Sequence, residues 1–242
     1  SLVALRLCDV WPDGASTLIT RGLQNLSQRN SKTDPEPLIP GQDYTVNIKL
    51  NHVGYRVPSG HKLRLAISTT YWPIAWPSPS KTTVSVITGA SKLFLPLRST
   101  DASSGRLTRF ESTETGKPLA TTQLRDIEQD RTTTIDPDSG VHKLEIYADN
   151  GRVRFDNSRL EMDSVNRQRY TIHPDNPLSA RAEYQWEWGF SRGEAWQTRV
   201  STHTEITCNE SSFFLKAECT AWEQDEIVFS KTWESKYPRD FF

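Results

Sequence analysis

Residues 54–79, GYRVPSGHKLRLAISTTYWPIAWPSP, impose the tightest constraint on how this chain can fold. In their middle, Leu63, Leu65 and Ile67 alternate with Lys62, Arg64 and Ala66, the period of two that marks a strand with one buried face. Pro58-Ser59-Gly60 punctuates its start. Its exit runs into Trp72-Pro73, Trp76-Pro77 and Pro79, where a ladder cannot continue because proline has no N–H to donate. A sheet must stop here, and the stiff segment beyond it carries two large aromatics. Two readings of Trp72 and Trp76 remain open: structural rings at a rigid sheet edge, or an aromatic wall facing a ligand or a neighbouring domain.

Composition says how a core could be built around that strand. The 242 residues can hold one large β domain or two smaller ones. Hydrophobic residues make up 35% of the chain, and its 12 glycines still leave it below the roughly 45–50% usual for globular proteins. That shortfall suits sheets with one solvated face. Eight Trp, nine Phe and seven Tyr supply the missing apolar area, since each buried aromatic removes about 150–250 Å² from water. The 29 basic and 30 acidic residues are well mixed and net to -1, which argues against a nucleic-acid partner or a membrane surface. No apolar run approaches the roughly 18 residues of a membrane span. The first residues, SLVALRLCDV, lack the features of a signal peptide. Cys8, Cys208 and Cys219 show neither metal spacing nor an even count. They read as small thiols in a reducing compartment, so a cytoplasmic location is expected.

Along the chain, Trp11-Pro12-Asp13-Gly14 has proline and glycine where a turn wants them, joining strands at 3–10 and 16–26. Residues 27–41 form a loop. Tyr44, Val46, Ile48 and Leu50 alternate with polar neighbours and predict a strand; strands at 62–70, 83–88 and 92–97 complete a first unit over residues 1–98. The polar stretch RSTDASSGR at 98–106 marks a boundary. Residues 107–242 then read as an antiparallel meander of long strands. Asn150-Gly151 signals a two-residue hairpin pairing Ala148 with Val153 and Ile146 with Phe155. A Ser191-Arg192-Gly193 loop would pair Trp188 with Trp196 and Tyr184 with Val200. The turn from Asn209 to Ser212 sets Cys208 opposite Phe213, Ile206 opposite Leu215 and Thr202 opposite Cys219. A turn at 223–225 sets Ala221 opposite Ile227 and Leu215 opposite Trp233. No amphipathic helix of three turns is present, so the expected fold class is all-β.

Motifs that carry chemistry are few. Gly89-Ala90-Ser91-Lys92-Leu93 lacks the second glycine of a G-x-S-x-G elbow, and a strand follows it where a helix is needed. The histidines at 52, 61, 142, 173 and 203 show no zinc spacing. His61, after Gly60 at a strand start, suits a structural hydrogen bond. Asp136, Asp138, Ser139 and Gly140 fail the twelve-residue calcium pattern and read as an ordinary turn. No glycine-rich phosphate loop exists. These residues alone provide no catalytic set, and no cofactor or metal site is expected.

Four stretches, VALRLCDVWPDGASTLITRGLQNL, PEPLIPGQDYTVNIKL, VPSGHKLRLAISTTYWPIAWPSP and SKLFLPLR, together resemble the C-terminal domain of the cocaine esterase and X-prolyl dipeptidyl peptidase group of serine hydrolases. The matching positions are Asp9, Asp13-Gly14, Gly22, Pro40-Gly41, Pro58, Gly60-His61, Arg64, Ser68 and Trp72-Pro73, in order over residues 3–98. DNPLSA at 175–180 and the ending FSKTWESKYPRDFF are similar to the tail of longer members. The resemblance implies a jelly roll, akin to galactose-binding sandwiches, that packs against an upstream α/β-hydrolase domain of the same polypeptide bearing the catalytic Ser, Asp and His. Neither that domain nor the first jelly-roll strands have a counterpart in this sequence. A shortened form is therefore expected, with an open strand edge that favours a homodimer. On this reading Trp72, Trp76 and Trp11 line an interface or substrate cleft. The rival reading is a free-standing carbohydrate-binding module that stacks sugars on the same three tryptophans.

Overall fold

The computed structural model describes residues 1–97 and 111–240. Those residues are all-β apart from one 3-10 turn, Leu26–Gln28. The expected boundary at 98–106 lies outside the described residues.

Strands β1 (Leu2–Val10), β2 (Ser16–Asn25) and β3 (Lys62–Ser68) form an antiparallel sheet in the order β2-β1-β3. The turn between β1 and β2 closes as its residues dictate. Gly14 N–H donates to the Trp11 carbonyl at 2.9 Å, with Gly14 at φ 91, and Ala15 N–H donates to Asp13 Oδ1 at 2.9 Å. The register places Leu5, Leu7 and Asp9 beside Ile67, Leu65 and Leu63 on one face. That face looks across an open cavity of about 2100 Å³ toward residues 44–50, 82–87 and 92–97.

Those facing segments differ from expectation. Residues 44–50, 83–88 and 92–97 run without a ladder and are not strands. The alternation in Tyr44, Val46, Ile48 and Leu50 survives as alternating exposure. Periodicity reports one-sided burial, whereas a strand also needs a hydrogen-bonding neighbour at its edge. The 44–51 segment is held to β2 by Asn51 N–H on the Arg21 carbonyl (2.9 Å) and Thr20 Oγ1 on the Asn51 carbonyl (2.7 Å). Gly22 permits this approach, because a Cβ there would stand 2.5 Å from the Lys49 carbonyl oxygen.

The second sheet comprises β4 (Thr121–Arg125), β5 (Glu128–Ile135), β6 (His142–Phe155), β7 (Leu160–His173), β8 (Asn176–Ser191), β9 (Gln197–Cys208), β10 (Ser212–Glu223) and β11 (Glu226–Pro238). From β6 onward consecutive strands pair antiparallel, while β4 and β5 share one edge of β6.

The turn at 209–212 gives the expected register: Cys208 faces Phe213, Ile206 faces Leu215 and Thr202 faces Cys219. The expected pairings at three other turns are corrected. Asn150 and Gly151 do not turn the chain. They form a bulge inside a continuous β6, where Asp149 faces Val165 and Arg152 faces Asp163. Gly151 takes the left-handed φ of 73 that a bulge can use as readily as a hairpin. Asp149 Oδ1 locks the bulge by accepting from Gly151 N–H and Arg125 Nη2, both at 2.8 Å. The loop after β8 is longer than three residues. Arg192 N–H donates to the Trp196 carbonyl, Ser191 faces Gln197, and so Trp188 faces Val200 and Tyr184 faces Thr204. The last turn is shorter, with Glu223 facing Glu226. A bulge at Ala221/Trp222 then sets Ala221 against Phe229 and Leu215 against Ser235.

This register sorts the sheet into two unlike faces. One carries a row of charge across six strands: Glu145, Arg169, Glu183, Glu205, Lys216 and Glu234. Arg169 bonds Glu145 at 3.0 Å, and Arg181 bridges Glu183 and Glu205. The opposite face carries Tyr170, Tyr184, Trp186, Trp188, Phe190, Phe213 and Trp233. The turn at Asp136 is an ordinary one, as expected: Asp136 Oδ1 accepts from Ser139 N–H (2.7 Å), Ser139 Oγ (2.8 Å) and Asp138 N–H (3.1 Å).

Candidate functional site

Asp9 sits on the apolar period of β1 after Val3 and Leu7 and is fully buried. A carboxylate in that position needs strong donors, and the 55–61 loop brings two. Tyr55 OH donates to Oδ2 at 2.6 Å, and His61 Nδ1 lies 2.9 Å from both carboxylate oxygens. The Tyr55 hydrogen bond, reinforced by the imidazole, holds the Asp9 carboxyl below the usual range against the opposing effect of burial. The same carboxylate raises the Tyr55 phenol. Trp11 closes the cluster. Its ring lies 5.2 Å from that of His61, and its Nε1 donates to Thr17 Oγ1 at 3.3 Å.

An Asp–His pair orients an imidazole as a base, but base catalysis needs a nucleophile within hydrogen-bond reach. Among the described residues, the neighbours that the His61 ring contacts are Asp9 and the Trp11 ring. The chemistry on offer is therefore that of a strut tying the 55–61 loop to β1. Asp9→Asn is expected to weaken the fold most at neutral pH. A lowered carboxyl pKa contributes stability that is present above the unfolded-state value and lost as pH falls through the folded-state one. The urea midpoints of wild type and variant should thus converge on acidification; a constant difference across the acid range would contradict the strut.

The proline segment makes the second constellation. Here the Trp72–Pro73 peptide bond is cis. Trp72 and Trp76 meet edge to face at 4.9 Å, Trp72 meets Tyr170 of β7 at 6.1 Å, and Trp76 meets Phe213 of β10 at 5.5 Å. Trp76 Nε1 donates to Cys208 Sγ of β9 at 3.2 Å. Pro77 is fully buried, and its carbonyl accepts from Arg239 Nη2. The Arg239 guanidinium also donates to the Asn209 carbonyl at 3.1 Å and lies 4.9 Å over the Phe213 ring. Burial lowers its pKa, with the neighbouring Cys208 acting in the opposite direction. Beneath this seat Ala180 and Ala182 are buried, their small side chains leaving room for the tryptophans.

The three tryptophans singled out by sequence thus divide. Trp72 and Trp76 seat on the eight-stranded sheet, while Trp11 belongs to the Asp9 cluster and stays 47% exposed. Sequence reasoning missed the partnership of Asp9 with Tyr55 and His61. Its signal was an acid on the buried period of a strand.

Residues 2–104 match the family model of the X-Pro dipeptidyl-peptidase C-terminal non-catalytic domain. That stretch, less than half of the chain, is similar to this domain family. No curated protein and no solved structure matches the chain. Asp9, Tyr55, His61, Trp72 and Trp76 all fall inside the matched stretch, whereas Tyr170, Cys208, Phe213 and Arg239 fall outside it. The seat therefore joins the matched stretch to a sheet beyond it. Among the described residues, no group of His, Cys, Asp or Glu gathers as metal ligands, and no helix is long and apolar enough to cross a membrane.

Proposed function

We propose that this chain is a non-catalytic accessory region of a serine hydrolase that cleaves esters, amides or X-Pro peptides. In this reading its first half is a galactose-binding-like jelly roll that buttresses an α/β-hydrolase domain of the same polypeptide and walls its substrate cleft. The match of residues 2–104 to the X-Pro dipeptidyl-peptidase C-terminal domain carries the reading. Two features support it. The apolar face of β1–β3 is incompletely covered within the chain, with Leu63 at 44% and Ile67 at 43% exposure, as suits a unit that packs against a larger neighbour. Trp11 in the Asp9 cluster and Ile74 in the proline segment remain exposed, and these side chains would reach the cleft. The three free thiols, Cys8, Cys208 and Cys219, fit a reducing cytoplasm.

The reading is tested by turnover. The chain alone is expected to hydrolyse neither p-nitrophenyl acetate nor Ala-Pro-p-nitroanilide above background. Cleavage that a serine-directed inhibitor abolishes would overturn it. In a polypeptide that includes the hydrolase domain, Trp11→Ala should lower kcat/KM for bulky substrates more than for small ones; equal effects would remove the cleft from the proposal.

A further inference from the structure

Strands β1, β2 and β3 have a second face, turned away from the cavity, and its charge is one-sided. The register sets Arg6 between Arg21 of β2 and Ala66 of β3, with Arg64 opposite Cys8 and Lys62 opposite Val10. This face of the three strands therefore carries four cations, Arg6, Arg21, Arg64 and Lys62, and no carboxylate. The second sheet is built differently. There Arg125, Arg152, Arg167, Arg169 and Arg181 each have a carboxylate within ion-pair distance.

Among the described residues, Arg6 and Arg21 have no such partner. Their guanidiniums gather instead on one ring, Arg6 at 5.3 Å and Arg21 at 5.6 Å from the centroid of Tyr71. Arg6 Nη2 donates to Ser68 Oγ at 3.4 Å, while its Nε is enclosed without an acceptor. Neither the Arg21 guanidinium nor the Tyr71 hydroxyl has a hydrogen-bond partner among the described residues. Like charges directly opposite one another on a sheet repel, and a neutral ring offsets only part of that. All three side chains are half-buried, so water screens the pair less than it would at an open surface. The site lacks an anion.

We propose that Arg6 and Arg21 bind a phosphate group, free or carried as a small monoester. Such a group brings about two negative charges near neutrality and at least three acceptor oxygens. It thus matches two guanidiniums in charge and can offer an oxygen edge to each fork. A carboxylate has one charge and one edge, enough for a single arginine. Arg64, one row along the same face, adds attraction at longer range. A nucleic acid or an anionic bilayer would need cations spread along a broad surface, whereas these are four side chains on three strands. The proposal needs only this sheet and stands apart from the accessory reading above.

The whole chain should be titrated at constant ionic strength with inorganic phosphate, methyl phosphate and acetate. Calorimetry reads the affinity, and the arginine Nε–H resonances locate the site. Saturable binding of at least one phosphate is expected, the tighter of the two naming the source, with acetate weaker than that one. Arg21→Gln should weaken binding about tenfold or more, the scale of a lost charge-assisted hydrogen bond. Arg21→Lys, which keeps the charge but not the fork, should fall between. Arg192→Gln, in the exposed loop after β8, should bind as wild type. Saturating phosphate should also raise the urea midpoint of wild type and leave that of Arg21→Gln in place. The absence of saturable phosphate binding, equal binding of acetate, undiminished binding by Arg21→Gln, or a matching loss in Arg192→Gln would overturn the proposal.

Discussion

Trp76→Ala is expected to lower the free energy of unfolding by about 3 kcal/mol, the lower end of the range for truncating a packed tryptophan because this one is only partly buried. The ring contacts Trp72, Phe213 and the Cys208 thiol together, so its loss opens a gap that no single neighbour can fill. The effect should be uneven. Hydrogen exchange should quicken in residues 71–77 and across β1–β3, whereas β8 to β10, held by their own ladders, should keep their protection. Trp76→Phe, which can still meet Phe213 edge to face but cannot reach Cys208 with an N–H, should fall between. An unchanged urea midpoint for Trp76→Ala would mean that the seat contributes nothing to holding the two sheets together.

Gly151→Ala is expected to cost roughly 2–5 kcal/mol. Part of that is the left-handed conformation, at about 1–2 kcal/mol for a residue with a Cβ. The rest is overpacking, because the new methyl would meet the Arg125 carbonyl and stand 2.6 Å from Gln123 Nε2, at about 1–3 kcal/mol. Both contacts lie at the corner where β4 and β5 meet along β6, so the damage should centre there. Chemical denaturation measures the total. Exchange at β4 and β5 amides should rise well above that at β9 and β10; a loss spread evenly over the sheet would contradict a local clash.

These sites were unequally legible in the sequence. The stretch from Cys208 to Phe213 could be registered correctly because its turn chemistry and alternating side chains agree. Around Asn150-Gly151 they conflict: the dipeptide allows a hairpin or a bulge, and the choice was made by β7 pairing along the whole of β6. Strand β5, EQDRTTTI, is exposed throughout. It carries no apolar period and is a strand only because its backbone pairs with β6. Residues 44–50 show the converse, a strand's period without a ladder. In the Asp9 cluster, the acid on an apolar period was visible, but Tyr55 lies 46 and His61 52 positions away. The stiffness of the Trp72–Pro79 segment was also legible. Its docking place on the same chain was not, because side-chain pattern carries no information about which distant strands will present a matching ring.

The bond from Trp76 to Cys208 spans 132 positions of sequence, and that separation sets a timetable for biosynthesis. At roughly 5–20 residues added per second, the ribosome exposes the proline segment on the order of ten seconds before the cysteine that receives it exists. Strands β6 to β11 pair with their immediate successors and can zip up as they emerge, since local contacts close quickly. Throughout that interval Trp76 lacks its native seat on β9 and β10, and Trp72 gains its own only when Tyr170 of β7 emerges. A nascent chain stalled before residue 208 is accordingly the form most prone to capture by chaperones or by another unfinished copy.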